Sequence, residues 1–446
     1  MNLRKPSNPK QQSGPARNRD GWYRYYAGYS SNFVRDVIQG LALDPDLVIA
    51  DPWNGAGTTT AVAEELGVPS WGGDVNPAMA VVSKARLLGQ RVKPSELSLC
   101  EAILTQAGES DLGDEPLTTW FRSDAARTLR GVEHSIARLL VPHASLEGSK
   151  GSVSDLSPLA SFFYVALFRT VRQFLVPFKS SNPTWITQPL DERHKLSPRV
   201  GRIHAFFRAH VLTMVGCGKA TTTETIVDQQ RLSAANNRID SRSSGAPRAR
   251  IAVCSSTNLP LADRSVGAVI SSPPYCTRID YAVATAPELA VLKIGNNDLR
   301  RLREAMIGSS TVRKDEPEID IAWGPTCARF LDGVATHASK ASASYYLRNH
   351  LQYFDGLARS LREIDRILTR GSSCVLVVQD SHYKEIHNNL PRIVLEMGQA
   401  QGWSLINKHR YASTRHLARV HPAAKTYGRS RKVTESVLLF QTASYS

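Results

Sequence analysis

The run Val266-Gly267-Ala268-Val269-Ile270, followed by Ser271-Ser272-Pro273-Pro274-Tyr275, constrains this chain more than any other stretch. The apolar half reads as a buried strand. Two prolines cannot continue a ladder, because neither donates an N–H, so the backbone past Ile270 leaves the sheet in a fixed, extended shape. A rigid loop at the carboxyl end of a strand lies where open α/β sheets bind ligands. Its freed carbonyls and the Ser272 hydroxyl can accept hydrogen bonds from an amino group, and Tyr275 offers a flat face to a ring. In-plane acceptors beside an aromatic platform suit a nucleobase. The bland alternative is a plain strand-to-turn exit.

A second motif changes that balance. Leu47-Val48-Ile49-Ala50 is another short apolar run, ending in Asp51-Pro52-Trp53-Asn54-Gly55-Ala56-Gly57-Thr58 and a helical pattern from Thr59 to Leu66. Strand, Gly-x-Gly turn and helix form a nucleotide-type cradle in which the glycines admit a ligand to the backbone and Thr58 can cap the helix. Trp71-Gly72-Gly73-Asp74-Val75-Asn76-Pro77 follows at about twenty residues, the spacing at which a carboxylate on the next strand takes a ribose hydroxyl pair. The cradle lacks the full Gly-x-Gly-x-x-Gly spacing and no Lys follows its glycines, which argues against a dinucleotide fold and a P-loop.

Asp51 to Thr58 resembles the S-adenosylmethionine motif of the amino-methylating DNA methyltransferases, and Ser272-Pro273-Pro274-Tyr275 resembles their catalytic motif. In that family the Ser-Pro-Pro-Tyr form is typical of cytosine-N4 enzymes, whereas adenine-N6 enzymes more often begin with Asp or Asn. The resemblance extends to Tyr26-Ala27-Gly28-Tyr29-Ser30-Ser31-Asn32-Phe33 and to Asp74-Val75-Asn76-Pro77. It implies an α/β fold with a Rossmann-like methyltransferase sheet and an inserted helical region. It also implies a restriction-modification-like enzyme that moves a methyl group from S-adenosyl-L-methionine to the N4 amino group of a flipped cytosine. Ser272, Pro273, Pro274 and Tyr275 would be catalytic. Tyr29, Asp51, Trp53, Gly55, Gly57, Thr58, Asp74 and Asn76 would hold the cofactor. Where the family usually carries an acidic residue against the adenine amino group, this chain offers Ser256 or Asn258.

The formal charge of +15 over 446 residues makes a polyanion partner plausible, since Lys and Arg that neutralise phosphates release counterions. Double-stranded DNA is the partner expected, with room for a cognate restriction or defence nuclease; oligomeric state is not legible. Six cysteines (Cys100, Cys217, Cys254, Cys276, Cys327 and Cys374) lie scattered without zinc or disulfide spacing, as in a reducing cytoplasm. Cys276 invites a covalent cytosine-C5 mechanism, but Tyr275 separates it from the prolines and amino methylation needs no adduct. No signal peptide or bilayer-length apolar run is expected.

Taken in order, residues 1–20 are expected to be a disordered basic tail, 21–96 the cofactor half, 97–250 an inserted helical and target-recognition region, and 251–446 the catalytic half. The pattern predicts helices over 30–43, 77–88, 127–140, 156–175, 200–215 and 284–292, a turn at 179–185 and a long amphipathic helix over 342–368 stopping at Arg370-Gly371. Trp185 suits base stacking or burial equally. The polar, arginine-bearing stretch 217–250 reads as a mobile loop or a DNA-meeting helix. Residues 293–337 read as charged and irregular, 374–378 as a buried strand, and 385–401 as a helix interrupted by Pro391. By the resemblance, strands at 403–406 and 437–440 close a seven-stranded sheet. Between them Arg410, Arg415 and Arg419 belong to a basic run suited to phosphate, as does Arg278 beyond the catalytic loop, which alternatively pairs with Asp280. Histidine spacing gives no metal site. Three other readings stay open: an adenine-N6 enzyme, an RNA or protein-amide methyltransferase, and an inactive DNA-binding relative.

Overall fold

The computed structural model describes residues 4–10, 19–23, 25, 28–41, 46–88, 95–108, 113–142, 153–180, 186–216, 248–277, 279–313, 317–413 and 433–444. In chain order the strands are β1 (Ile49–Asp51), β2 (Ser70–Asp74), β3 (Ala249–Val253), β4 (Val266–Ser271), β5 (Leu368–Gln379), β6 (Ser381–Tyr383), β7 (Ile386–Asn388), β8 (Ser404–Ser413) and β9 (Val433–Gln441). Seven of them form one sheet in the order β3-β2-β1-β4-β5-β9-β8. β3 through β5 run parallel, and β9 is antiparallel to both β5 and β8. This is a Rossmann-like methyltransferase fold, with the antiparallel edge where it was expected.

Both faces of the sheet are covered, which is why its central strands read as unbroken apolar runs. Every residue of β4 is buried. Successive side chains alternate between faces: Ile49, Ile270, Val375 and Val377 pack with Phe33, Val34 and Val37 of the helix Ser31–Leu41, whereas Ala50, Val269, Cys374 and Leu376 pack with Phe354, Leu357 and Leu361 of the helix Leu347–Ile367. A third core joins the inserted helices Ser123–Leu140, Pro158–Phe174 and Val200–Val215 to the helix Pro77–Arg86 and to Leu289, Ala290 and Val291.

The strand order places the two motifs side by side. β1 is followed by β2 and β3 on one flank, while its other neighbour, β4, begins about two hundred residues later in the chain and continues to β5. The switch point therefore lies between β1 and β4. Asp51 ends β1 and Ser271 ends β4, so the glycine turn and the Pro-Pro loop leave adjacent strands at the same edge.

Several expectations are corrected. Residues 293–337 are not irregular: they contain the helices Asn296–Ala305 and Pro325–Thr336. The first has only Leu299 and Leu302 as large apolar side chains, half-buried against the core of the inserted helices, so its apolar stripe is too short to betray it. The second carries Pro in its first turn and buries Cys327, Phe330, Leu331 and Val334, a helical spacing disguised by the cysteine. The long helix ends at Ile367, and Gly371 sits inside β5 at φ 72°, where pairing steps from Val266↔Leu368 to Ala268↔Ser373. The glycine serves a bulge, not a helix cap. Pro391 opens the helix Leu390–Ala400 instead of interrupting one, capped by Asn389, and a β6–β7 hairpin precedes it. Part of the expected disordered tail is also ordered against the body: Ser30 N–H donates to Pro9 O at 2.7 Å and the buried Tyr411 hydroxyl to Pro6 O at 2.6 Å.

Candidate active site

Asp51 is the pin of the site. It is 1% exposed, and its carboxylate accepts from the Tyr29 hydroxyl at 2.8 Å, the Thr59 hydroxyl at 2.6 Å, Trp53 N–H at 3.2 Å and the Ser271 hydroxyl. Burial pushes its carboxyl up from the usual range, and the bonds from Ser271, Thr59, Tyr29 and Trp53 pull the other way. Its oxygens thus tie the N-terminal segment, the glycine turn and β4 together.

The glycine turn is closed by Asn54, whose amide donates to Ser83 Oγ at 2.7 Å and whose carbonyl accepts from the Thr60 hydroxyl at 3.2 Å. Gly57 adopts φ 80°, and a Cβ there would lie 2.8 Å from Ser83 Cα, so only glycine fits without the helix Pro77–Arg86 moving. Gly57 is also the N-cap of the helix Thr58–Glu65, and no side chain caps that helix; the cap expected from Thr58 does not form. Thr58 is its first residue and accepts from Arg86 Nη1 at 3.4 Å.

Asp74 ends β2 and receives Gly55 N–H at 2.9 Å and Asn76 N–H at 2.8 Å, one on each oxygen. Two lone-pair sites remain for hydroxyl donors. Burial pushes this carboxyl up to about 6, against the lowering effect of the two backbone N–H groups. Tyr25, Tyr29, Asp51, Trp53, Asn54, Gly55, Thr58 and Ser272 line one cleft, which brings the serine of the Pro-Pro loop to the glycine turn. The Trp53 indole N–H is buried and has no partner in the protein. Asn76 is turned inward instead: it caps the helix Pro77–Arg86 through Ala78 N–H at 3.0 Å and donates to the Thr285 hydroxyl at 2.8 Å. Ser256 is likewise buried, its hydroxyl 2.8 Å from that of Ser360.

The Pro-Pro loop is held at three points. The Ser272 hydroxyl donates to Val377 O of β5 at 2.9 Å, Tyr353 of the long helix donates to Pro274 O at 2.7 Å, and the Tyr275 hydroxyl donates to Glu435 Oε1 of β9 at 2.8 Å. Tyr275 is partly buried and Pro273 buried. Because the Ser272 proton is committed to Val377, its lone pairs are left to accept.

Beyond the loop, Asp280 is buried and accepts from Arg303 Nε at 2.8 Å, the Ser310 hydroxyl at 3.0 Å and Val283 N–H at 3.1 Å. Arg303, unforeseen from sequence, is thus a cation partner of Asp280. Arg410 stands exposed on β8. Arg278, Arg415, Arg419, Trp185 and the arginines of 217–247 lie outside the described residues. Sequence reading also missed Asn54, Thr59, Ser271, Tyr353 and Glu435; only the first could have been marked locally, as a turn residue between two glycine-bearing motifs.

No group of His, Cys, Asp and Glu among the described residues could hold a metal ion, and no helix among them is long and apolar enough to cross a membrane.

Comparison with known proteins agrees with this geometry. Over 312 residues, 66% of this chain and 57% of the relative, the sequence is 21% identical to the Type II methyltransferase M.BsoBI of Geobacillus stearothermophilus. The chain is similar to Type II methyltransferases. It is also 28% identical over 149 residues, 31% of this chain and 30% of the relative, to the Type II methyltransferases M.AvaI of Nostoc sp. and of Anabaena variabilis. The chain thus spans little more than half the length of the first relative and about a third of the others. No family model matches it.

Proposed function

We propose that this protein is an S-adenosylmethionine-dependent DNA methyltransferase acting on the exocyclic N4 amino group of a cytosine flipped out of the duplex. The observation that carries the reading is the joining of Ser272, as an oriented hydrogen-bond acceptor, to a glycine cradle and Asp74 at the switch point of a methyltransferase sheet. The names of the Type II relatives support methyl transfer, and a restriction-modification setting follows from the same names. The Ser-Pro-Pro-Tyr form favours cytosine over adenine.

The residues fit the cofactor by their chemistry. Asp74 offers acceptors for ribose hydroxyls, the glycine turn admits close approach at Gly55, and Tyr29 and Trp53 wall the cleft. S-adenosylmethionine, when bound, supplies an electrophilic methyl group and its own leaving group. The chain's part is positioning and electrostatics. A cytosine amino nitrogen is a poor nucleophile because its lone pair is conjugated with the ring. Ser272 Oγ and the Pro273 carbonyl accept the amino hydrogens, which stabilises positive charge developing on nitrogen and aims the lone pair toward the cofactor cleft. Tyr275 stacks on the extruded base. The net positive charge and the basic stretch around Arg410, Arg415 and Arg419 serve the phosphates, and the inserted region 97–250 reads the target.

The test is transfer of a labelled methyl group from S-adenosylmethionine to mixed-sequence duplex DNA, with RNA in parallel. Label in DNA supports the reading; label in RNA alone, or in neither, refutes it.

A further inference from the structure

Glu435 lies far from both motifs in sequence and was not singled out by any pattern, yet it meets the catalytic tyrosine directly. The Tyr275 hydroxyl donates to Glu435 Oε1 at 2.8 Å across 160 residues of chain. We infer that Glu435 is a positioning residue for methyl transfer, setting the orientation of the Tyr275 ring through that hydroxyl. The inference rests on the DNA methyltransferase reading proposed above.

The sheet register explains why this contact is rigid. In the antiparallel pair β5–β9, Val377 faces Val437 and Gln379 faces Glu435. Val377 O is the acceptor for the Ser272 hydroxyl. The two ends of the catalytic motif are therefore fixed to positions two residues apart on one ladder, Ser272 through β5 and Tyr275 through β9. Pro273 and Pro274 make the intervening backbone stiff, and Tyr353 holds Pro274 O from the opposite layer. A ring free to rotate at its base-stacking face would lose that registration, and the rigid partner at its hydroxyl prevents it.

Glu435 also sits near the start of β9, immediately after the basic stretch 414–432 in sequence. Tyr411 of β8 faces it on the other side of the ladder. Burial raises the Glu435 carboxyl, with Tyr275 and Lys10 opposing, and either charge state accepts the phenol proton.

The experiment compares Glu435→Ala, Glu435→Gln, Tyr275→Phe and the Glu435→Ala/Tyr275→Phe double variant in steady-state DNA methylation, with S-adenosylmethionine affinity and thermal midpoint measured for each. Glu435→Ala should lower kcat roughly tenfold to a hundredfold, the scale of a small misplacement of a reacting group, with cofactor affinity unchanged. Glu435→Gln keeps an acceptor oxygen and should recover most of the rate. The double variant should be no slower than the worse single variant, because both remove one interaction. Multiplying effects in the double variant, or Glu435→Gln as slow as Glu435→Ala at an intact thermal midpoint, would overturn the inference. A wild-type protein that methylates no DNA would instead overturn the functional reading on which it rests.

Discussion

Ser271 donates to Asp51, and this buried contact joins the last residue of β4 to the last residue of β1. It makes the Pro-Pro loop and the glycine turn a single unit, since Tyr29, Thr59 and Trp53 converge on the same carboxylate. The methyl transfer proposed for this protein would need its two partners in fixed register, and Asp51 fixes the two loops that line the cleft.

Asp51→Ala should therefore damage stability and cofactor binding together. Each buried donor left unpaired costs about 1–3 kcal/mol, and three hydroxyls lose this acceptor. Ser271→Ala removes one donor and should cost only about 1 kcal/mol. Urea unfolding of the two variants checks the order; equal, small losses would mean that Asp51 is not the pin.

Ser272→Ala should reduce methylation at least about a hundredfold, the loss typical of a missing charge-stabilising group, while S-adenosylmethionine affinity stays within about twofold. Isothermal titration and single-turnover assays separate the two. A large loss of affinity would place Ser272 in cofactor binding instead.

Asp74 gives a pH signature. Its folded value, about 6, lies above its ordinary 3.8, so the folded protein holds an extra proton between those values. Ionising it costs stability as pH rises through that window, and the cost is constant above it. Affinity for S-adenosylmethionine should move oppositely, strengthening as pH rises through about 6, because the carboxylate is the better acceptor for ribose hydroxyls. Asp74→Asn should flatten this dependence. An unchanged profile in that variant would dissociate Asp74 from the ribose.

Arg130 welds the inserted helices to the helix Ala286–Val291. It is 1% exposed, bonds Glu115 and Glu133, and donates to Ala290 O and Val291 O at 3.0 and 2.7 Å. Arg130→Leu strands two buried carboxylates and should cost about 3–5 kcal/mol. The urea midpoint measures it; a neutral result would show the insertion to be independently seated.

What could be read from sequence follows physical locality. β1, β4 and β5 are legible because a strand buried on both faces is apolar throughout, and the glycine turn because Gly57 occupies a conformation that other residues avoid. Asp74, at the end of β2, and Ser272, just past the end of β4, were legible as polar residues at the close of a strand. The partners that orient them were not: Val377 receives Ser272 from 105 residues away and Glu435 receives Tyr275 from 160. Such contacts are decided by sheet order, which no local pattern encodes. Asn76 and Ser256 show the converse, polar residues beside a motif whose groups are spent on a helix cap and on Ser360. Helix Asn296–Ala305 escaped because Leu299 and Leu302 are its only large apolar residues and neither is fully buried.

The most direct test is to incubate the purified protein with S-adenosylmethionine and mixed-sequence duplex DNA, digest to nucleosides, and identify the methylated nucleoside by mass spectrometry. The account predicts N4-methylcytosine. N6-methyladenine as the product would contradict the base assignment drawn from Ser272-Pro273-Pro274-Tyr275, and the absence of any methylated nucleoside would contradict the enzyme itself.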